Sequence, residues 1–147
     1  MAMAIDKAKL LAAAEKYVGQ NKIDKAIEEY KKILAAEPRD LTILNIVGDL
    51  YVRTNKNDEA LKCFYKLGDA YVETGFARNA IAVYRRVLRV DAAQIEAILK
   101  LGDLYTAQGQ LGEARSLYQQ AVEYYTQRNQ SDKAVELGIP GFVDNAH

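Results

Sequence analysis

Apolar residues recur along this chain with the period of a helix. Leu44, Val47, Gly48 and Tyr51 fall at i, i+3, i+4 and i+7. Leu61, Phe64, Leu67, Gly68 and Tyr71 repeat the arrangement, as do Ile98, Leu101, Gly102 and Tyr105. That spacing gathers them on one stripe of a helix. Short polar breaks lie between the segments: Asn55-Lys56-Asn57, Thr74-Gly75, Gln108-Gly109-Gln110 and Arg128-Asn129-Gln130. Each holds the Gly or Asn that closes a helix, and Asp58, Glu113 and Asp132 suit the first turn of the next. Asn57-Asp58-Glu59 and Ser131-Asp132 mark the clearest starts. Pro38 ends the second helix, because proline cannot continue one. The pattern predicts eight helices over 5–20, 24–36, 41–54, 58–74, 77–90, 95–108, 111–128 and 131–138, and no strand. Connections this short force neighbours to pack antiparallel.

A second regularity overlies the first. Tyr17 and Ala26 sit nine residues apart, and so do Tyr51 and Ala60, Tyr71 and Ala80, Tyr105 and Ala114, Tyr125 and Ala134. Recurrence of one spacing marks a repeat protein, and such proteins build surfaces. The tyrosines step by 34, 20, 34 and 20 residues, so the larger period is a 54-residue, three-helix unit. Gly48-Asp49-Leu50-Tyr51 accordingly returns as Gly102-Asp103-Leu104-Tyr105.

These positions resemble the tetratricopeptide repeat, whose 34-residue helix pair carries a large residue, Leu-Gly, Tyr, then Ala, an aromatic, an aliphatic residue and Pro. Residues 41–74 read Leu44, Val47-Gly48, Tyr51, Ala60, Phe64, Leu67, and residues 95–128 read Ile98, Leu101-Gly102, Tyr105, Ala114, Tyr118, Ala121. Residues 7–40 read Leu10, Ala13-Ala14, Tyr17, Ala26, Tyr30, Ile33, Pro38. The resemblance implies an all-α fold, a right-handed α-α superhelix (TPR-like solenoid) of seven or eight antiparallel helices. It runs as one domain over residues 1–147, with repeats at 7–40, 41–74, an overlapping 61–94, 95–128 and a partial 115–147. The departure from the family is the doubling of helices 58–74 and 111–128, which carry second-helix and first-helix motifs at once.

Composition narrows the function. Twenty basic residues balance twenty acidic ones, whereas a nucleic-acid partner calls for cationic excess. No apolar run approaches a membrane span, and the N-terminus lacks a signal peptide's apolar core. The expected setting is therefore cytoplasmic, with no nucleic acid and no membrane insertion. Met1-Ala2-Met3 reads as a cloning addition before a native start at Met3. One cysteine, Cys63, and one histidine, His147, supply neither a disulfide nor a Cys/His metal cluster. With no phosphate loop, nucleophile elbow or histidine base, an enzyme is not expected, and no cofactor is implied.

Eight of the ten tyrosines fall on motif positions and are expected in the core; Tyr65 and Tyr124 lie off the motif. In the family the first helix of each pair lines a concave face, and its ninth motif position points into the groove. The corresponding residues are Glu15, Asp49, Asp69 and Asp103. The family's lysine, asparagine and arginine clamp for a C-terminal carboxylate is absent, since Leu11 stands with Glu15 and Asn45 with Asp49. An acidic row would select a basic peptide or free amino group, or else form a solvated face. Arg78, Arg85, Arg86 and Arg89, with Lys31-Lys32 earlier, suit a helix C-terminus or meet an acidic row on a neighbouring copy. The resemblance thus implies a scaffold or adaptor that takes a segment of another protein or peptide. Its candidate contacts are Glu15, Asn45, Asp49, Arg53, Tyr65, Asp69 and Asp103. The alternative is a self-assembling structural module, a homo-oligomer joined through array ends or faces.

Overall fold

A computed structural model of the protein describes residues 4–140. Met1-Ala2-Met3, the Gly141-Phe142 end of the last partial repeat and His147 lie outside the described residues. Among the described residues there are eight helices and no strand: α1 (Lys7–Gly19), α2 (Ile23–Ala36), α3 (Leu41–Arg53), α4 (Asn57–Glu73), α5 (Ala77–Val90), α6 (Ile95–Ala107), α7 (Leu111–Gln127) and α8 (Ser131–Glu136). The bounds fall within two residues of those expected. α1 starts later than expected because Asp6 caps it, accepting from the Lys9 amide at 3.1 Å. Asn57 and Ser131 are the first residues inside their helices rather than caps; the preceding Lys56 and Gln130 make no side-chain cap bond.

The nine-residue interval from tyrosine to alanine is a joint between helices. Four residues after the tyrosine the backbone turns left-handed, at Asn21 (φ 57°), Asn55 (59°), Gly109 (74°) and Asn129 (55°). The next amide then reaches back to the tyrosine carbonyl. Lys22 donates to Tyr17 at 2.8 Å, Lys56 to Tyr51 at 2.8 Å, Gln110 to Tyr105 at 2.9 Å and Gln130 to Tyr125 at 2.7 Å. This is the long bond of a Schellman closure, and Asn or Gly is used because only they enter that conformation cheaply. α4 ends the same way, with Gly75 at φ 84° and the Phe76 amide on Tyr71 at 2.8 Å. The alanine that completes each joint is buried: Ala26, Ala60 and Ala134 wholly, Ala114 nearly so. A methyl side chain there lets the following helix approach closely.

The described helices fall into two compact units, α1–α4 as far as Phe76 and α5–α8 from Ala77. In the first, α1 packs on α2, α2 on α3 and α3 on α4. In the second, α5 packs on α6, α6 on α7 and α7 on α8. The limits of α2, α3 and α4 recur 54 residues on as those of α5, α6 and α7, so the three-helix period is a structural one. α4 and α7 each have 17 residues, against 13 or 14 in α1, α2, α3, α5 and α6. The extra turn makes room for the doubled motif. In α7 the first half carries Tyr118 against α6, and Tyr125 in the last turn opens the joint to α8.

Six of the eight motif tyrosines are buried: Tyr30, Tyr51, Tyr84, Tyr105, Tyr118 and Tyr125. Tyr17 and Tyr71 are only half-buried, contrary to expectation. Each keeps one side of its ring near the surface. Lys25 Nζ stands 5.9 Å from the Tyr17 ring, and Phe76, itself exposed, meets the Tyr71 ring edge-on at 6.3 Å.

The units differ at one corner. Lys7 Nζ donates to Asp40 Oδ2 at 2.6 Å and pairs with Glu37 Oε2 at 2.9 Å, tying α1 to the α2–α3 turn. Asp40 also caps α3, accepting from the Ile43 amide at 3.1 Å. One period later the cap position holds Gln94, which makes no cap bond and donates instead to Asp91 at 2.9 Å.

Candidate functional site

The expected contact residues distribute over three helices of the first unit and one of the second. Asn45, Asp49 and Arg53 are spaced by four on α3 and share one stripe; Asn45 is half-buried, the other two exposed. Tyr65 and Asp69, both half-buried, form the corresponding stripe on α4. Glu15 is exposed on α1. Burial pushes the Tyr30 phenol above its usual range, and the nearby Glu15 carboxylate pushes the same way.

Asp103 belongs to the second unit. It accepts the Tyr118 hydroxyl at 2.5 Å, which joins α7 to α6. The Tyr118 phenol is raised first by burial and then by this bond to Asp103, with the Thr106 hydroxyl acting in the opposite direction. A carboxylate offers about four acceptor positions, so the bond leaves Asp103 capable of further contacts. Position 64, fifteen residues after Asp49, holds Phe64, which has no hydroxyl to offer.

Of these residues, Asp69 lines a cleft of about 290 Å³ with Pro38, Arg39, Leu44, Lys66 and Glu73. Its charges are mixed, and Arg39 pairs with Glu73 across it. The cleft thus sets two cations, Arg39 and Lys66, beside two carboxylates, Asp69 and Glu73.

Two further clefts were missed by the sequence reading. In the first unit, Lys31 and Leu34 of α2, Val47 and Tyr51 of α3, and Glu59 and Lys66 of α4 surround about 250 Å³. In the second unit, Arg85 and Leu88 of α5, Leu101 and Tyr105 of α6, and Glu113 and Gln120 of α7 surround about 560 Å³. Each residue of the second set stands 54 positions after its counterpart in the first. The signal was present in the sequence as Lys31, Tyr51 and Glu59 returning as Arg85, Tyr105 and Glu113. Helix-end electrostatics explained the cations and concealed it.

Among the described residues no charged side chain is buried, and no three His, Cys, Asp or Glu residues are placed to hold a metal ion. No described helix is long and apolar enough to cross a membrane.

The family model described as tetratricopeptide repeat matches residues 11–64 and again 65–132. No curated protein sequence matches the chain. Among solved structures, a crystal structure of MamA is 21% identical, covering 88% of this chain and 86% of its own at a TM-score of 0.42. A second MamA crystal structure is also 21% identical, with 91% of both chains covered and a TM-score of 0.42. YrrB, described as a TPR protein with an unusual peptide-binding site, is 21% identical over 90% of this chain and 82% of its own, at a TM-score of 0.40.

Proposed function

Because this chain belongs to the tetratricopeptide repeat family, we propose that it is a non-catalytic interaction module that holds a segment of another protein along the first helices of its pairs. The observation that supports this is chemical uniformity: Glu15, Asp49, Asp69 and Asp103 place a carboxylate at the same motif position four times. Asn45 and Arg53 flank Asp49 on its stripe, and Tyr65 stands one turn from Asp69, so polar and aromatic contacts are at hand. Carboxylates at those positions select a basic segment through charge-assisted bonds, in a cytoplasmic setting, with the whole of 1–147 working as one repeat domain.

The test is titration of a fluorescent lysine-rich peptide into wild type and into the Asp49→Lys, Asp103→Lys variant, read by anisotropy. The reversal should weaken binding by about tenfold or more. The helical circular dichroism should stay as it was. Stability should fall only by the Tyr118–Asp103 bond, about 1 kcal/mol. Unchanged affinity after reversal would sink the reading.

A further inference from the structure

The two clefts that recur 54 residues apart lie on the other side of the middle helix from the acidic positions. Successive residues of a helix are turned by about 100°, so a residue two positions away points to the opposite side. Asp49 is two residues from both Val47 and Tyr51, which line the first cleft. Asp103 bears the same relation to Leu101 and Tyr105 in the second. The α3 and α6 walls of the clefts therefore point away from Asp49 and Asp103, while the first cleft shares Leu44 and Lys66 with the one that Asp69 lines.

Their chemistry is also opposite. The first cleft has Lys31, Lys62 and Lys66 against one carboxylate, Glu59. Lys62 pairs with that carboxylate at 3.3 Å, so the remaining cationic excess is carried by Lys31 and Lys66. The second has Arg85 and Arg89 against Glu113. In both, the floor is apolar: a tyrosine ring with Leu34 and Val47 in one, and with Leu88 and Leu101 in the other. The Arg85 guanidinium stands 5.6 Å from the Tyr105 ring, where the aromatic face steadies a cation that can still grip a carboxylate. A cationic rim over an aliphatic and aromatic floor fits an acidic segment that carries one apolar side chain. What recurs in both units is one cation (Lys31, Arg85), one carboxylate (Glu59, Glu113) and the apolar floor, and each cleft adds a second cation of its own.

We propose that each unit binds a short acidic peptide segment of a partner protein, with a leucine or phenylalanine on the tyrosine floor and its carboxylates on Lys31 and Lys66 or on Arg85 and Arg89. Lys31 and Arg85 correspond across the period, while the second cation comes from α4 in one cleft (Lys66, with Gln120 at the matching position) and from α5 in the other (Arg89, with Ala35 at the matching position), so one chain takes two segments on related but not identical sites.

The probe is a fluorescein-labelled octapeptide of aspartate and glutamate with a central Leu-Phe pair, titrated by anisotropy and counted by calorimetry. Wild type should bind two peptides per chain. Lys31→Glu with Lys66→Glu should remove the first site, and Arg85→Glu with Arg89→Glu the second, each halving the stoichiometry. The combined variant should lose at least tenfold in affinity. All four cations are exposed, so the variants should keep their helicity. Asp49→Lys, on the other side of α3, should leave the acidic peptide bound, which separates this proposal from the basic-segment reading. Four results would overturn it: no saturation by wild type at millimolar peptide, binding indifferent to the reversals, equal uptake of the same peptide lacking Leu-Phe, or a chain whose clefts respond only to self-association in sedimentation.

Discussion

The ring of Tyr118 lies 2.7 Å from where a β-carbon on Gly102 would stand, and Phe64 crowds Gly48 in the same manner one period earlier. The motif glycine is thus a contact surface. Alanine at either site would drive a methyl into a packed aromatic ring. Overpacking of that kind costs about 1–3 kcal/mol, while alanine restores about 1 kcal/mol of helix propensity. Gly48→Ala and Gly102→Ala should therefore lose up to about 2 kcal/mol in urea unfolding, Gly48→Ala the more, since Phe64 approaches closer and is wholly buried. A gain in stability at both would refute the close packing.

Glycines without such neighbours should respond differently. A β-carbon at Gly109 meets nothing within 4 Å, yet φ is +74°. Gly109→Ala should cost about 1–2 kcal/mol through backbone conformation alone. Gly19 also has open space and ends α1 at ordinary helical φ, so Gly19→Ala should add up to about 1 kcal/mol. Thermal melts of the two variants should move in opposite directions.

The α1–α3 corner should be visible in the pH dependence of folding. Burial pushes the Asp40 carboxyl up, but the hydrogen bonds from Lys7 and from the Ile43 amide outweigh it and hold it below its ordinary 3.8. The unfolded chain then takes up the proton first on acidification. Stability from Asp40 is complete above pH 3.8 and is lost as pH falls through the lower native value. Lys7 is raised, chiefly by Asp40, so its share persists below 10.5 and is lost as pH climbs through the higher native value. Asp40→Asn should flatten the acid limb of the stability profile while retaining most of the cap, since asparagine also serves as an N-cap. An acid limb equally steep in the variant would count against the corner.

Cys63 lines the first cleft but is 9% exposed, and burial, the largest influence, pushes its thiol up. The reactive species is the thiolate, so labelling by a colorimetric disulfide reagent at pH 7.5 should be slow and should accelerate only as urea opens the fold. Rapid labelling of the native chain would mean that this wall of the cleft is open.

Helix number, limits and the three-helix period were legible because each joint writes itself into the sequence three times: the tyrosine, the Asn or Gly four residues on, and the alanine after nine. Local rules carry that information. Lys7 and Asp40 are 33 residues apart, and nothing in either neighbourhood announces that α1 returns to the α2–α3 turn. Tyr118 and Asp103 were each placed correctly on their helices, yet their bond depends on the crossing of α6 and α7. The acidic positions were readable from the motif. The two clefts needed three helices brought together before their shared residues could be seen as one set.

The main helix pairings within each unit join elements that follow one another along the chain. Little loop entropy must be surrendered to form such pairs, so order can begin at any joint and spread to its neighbours. The protein should accordingly fold fast for its length, and during synthesis each helix can dock as soon as its successor has cleared the ribosome.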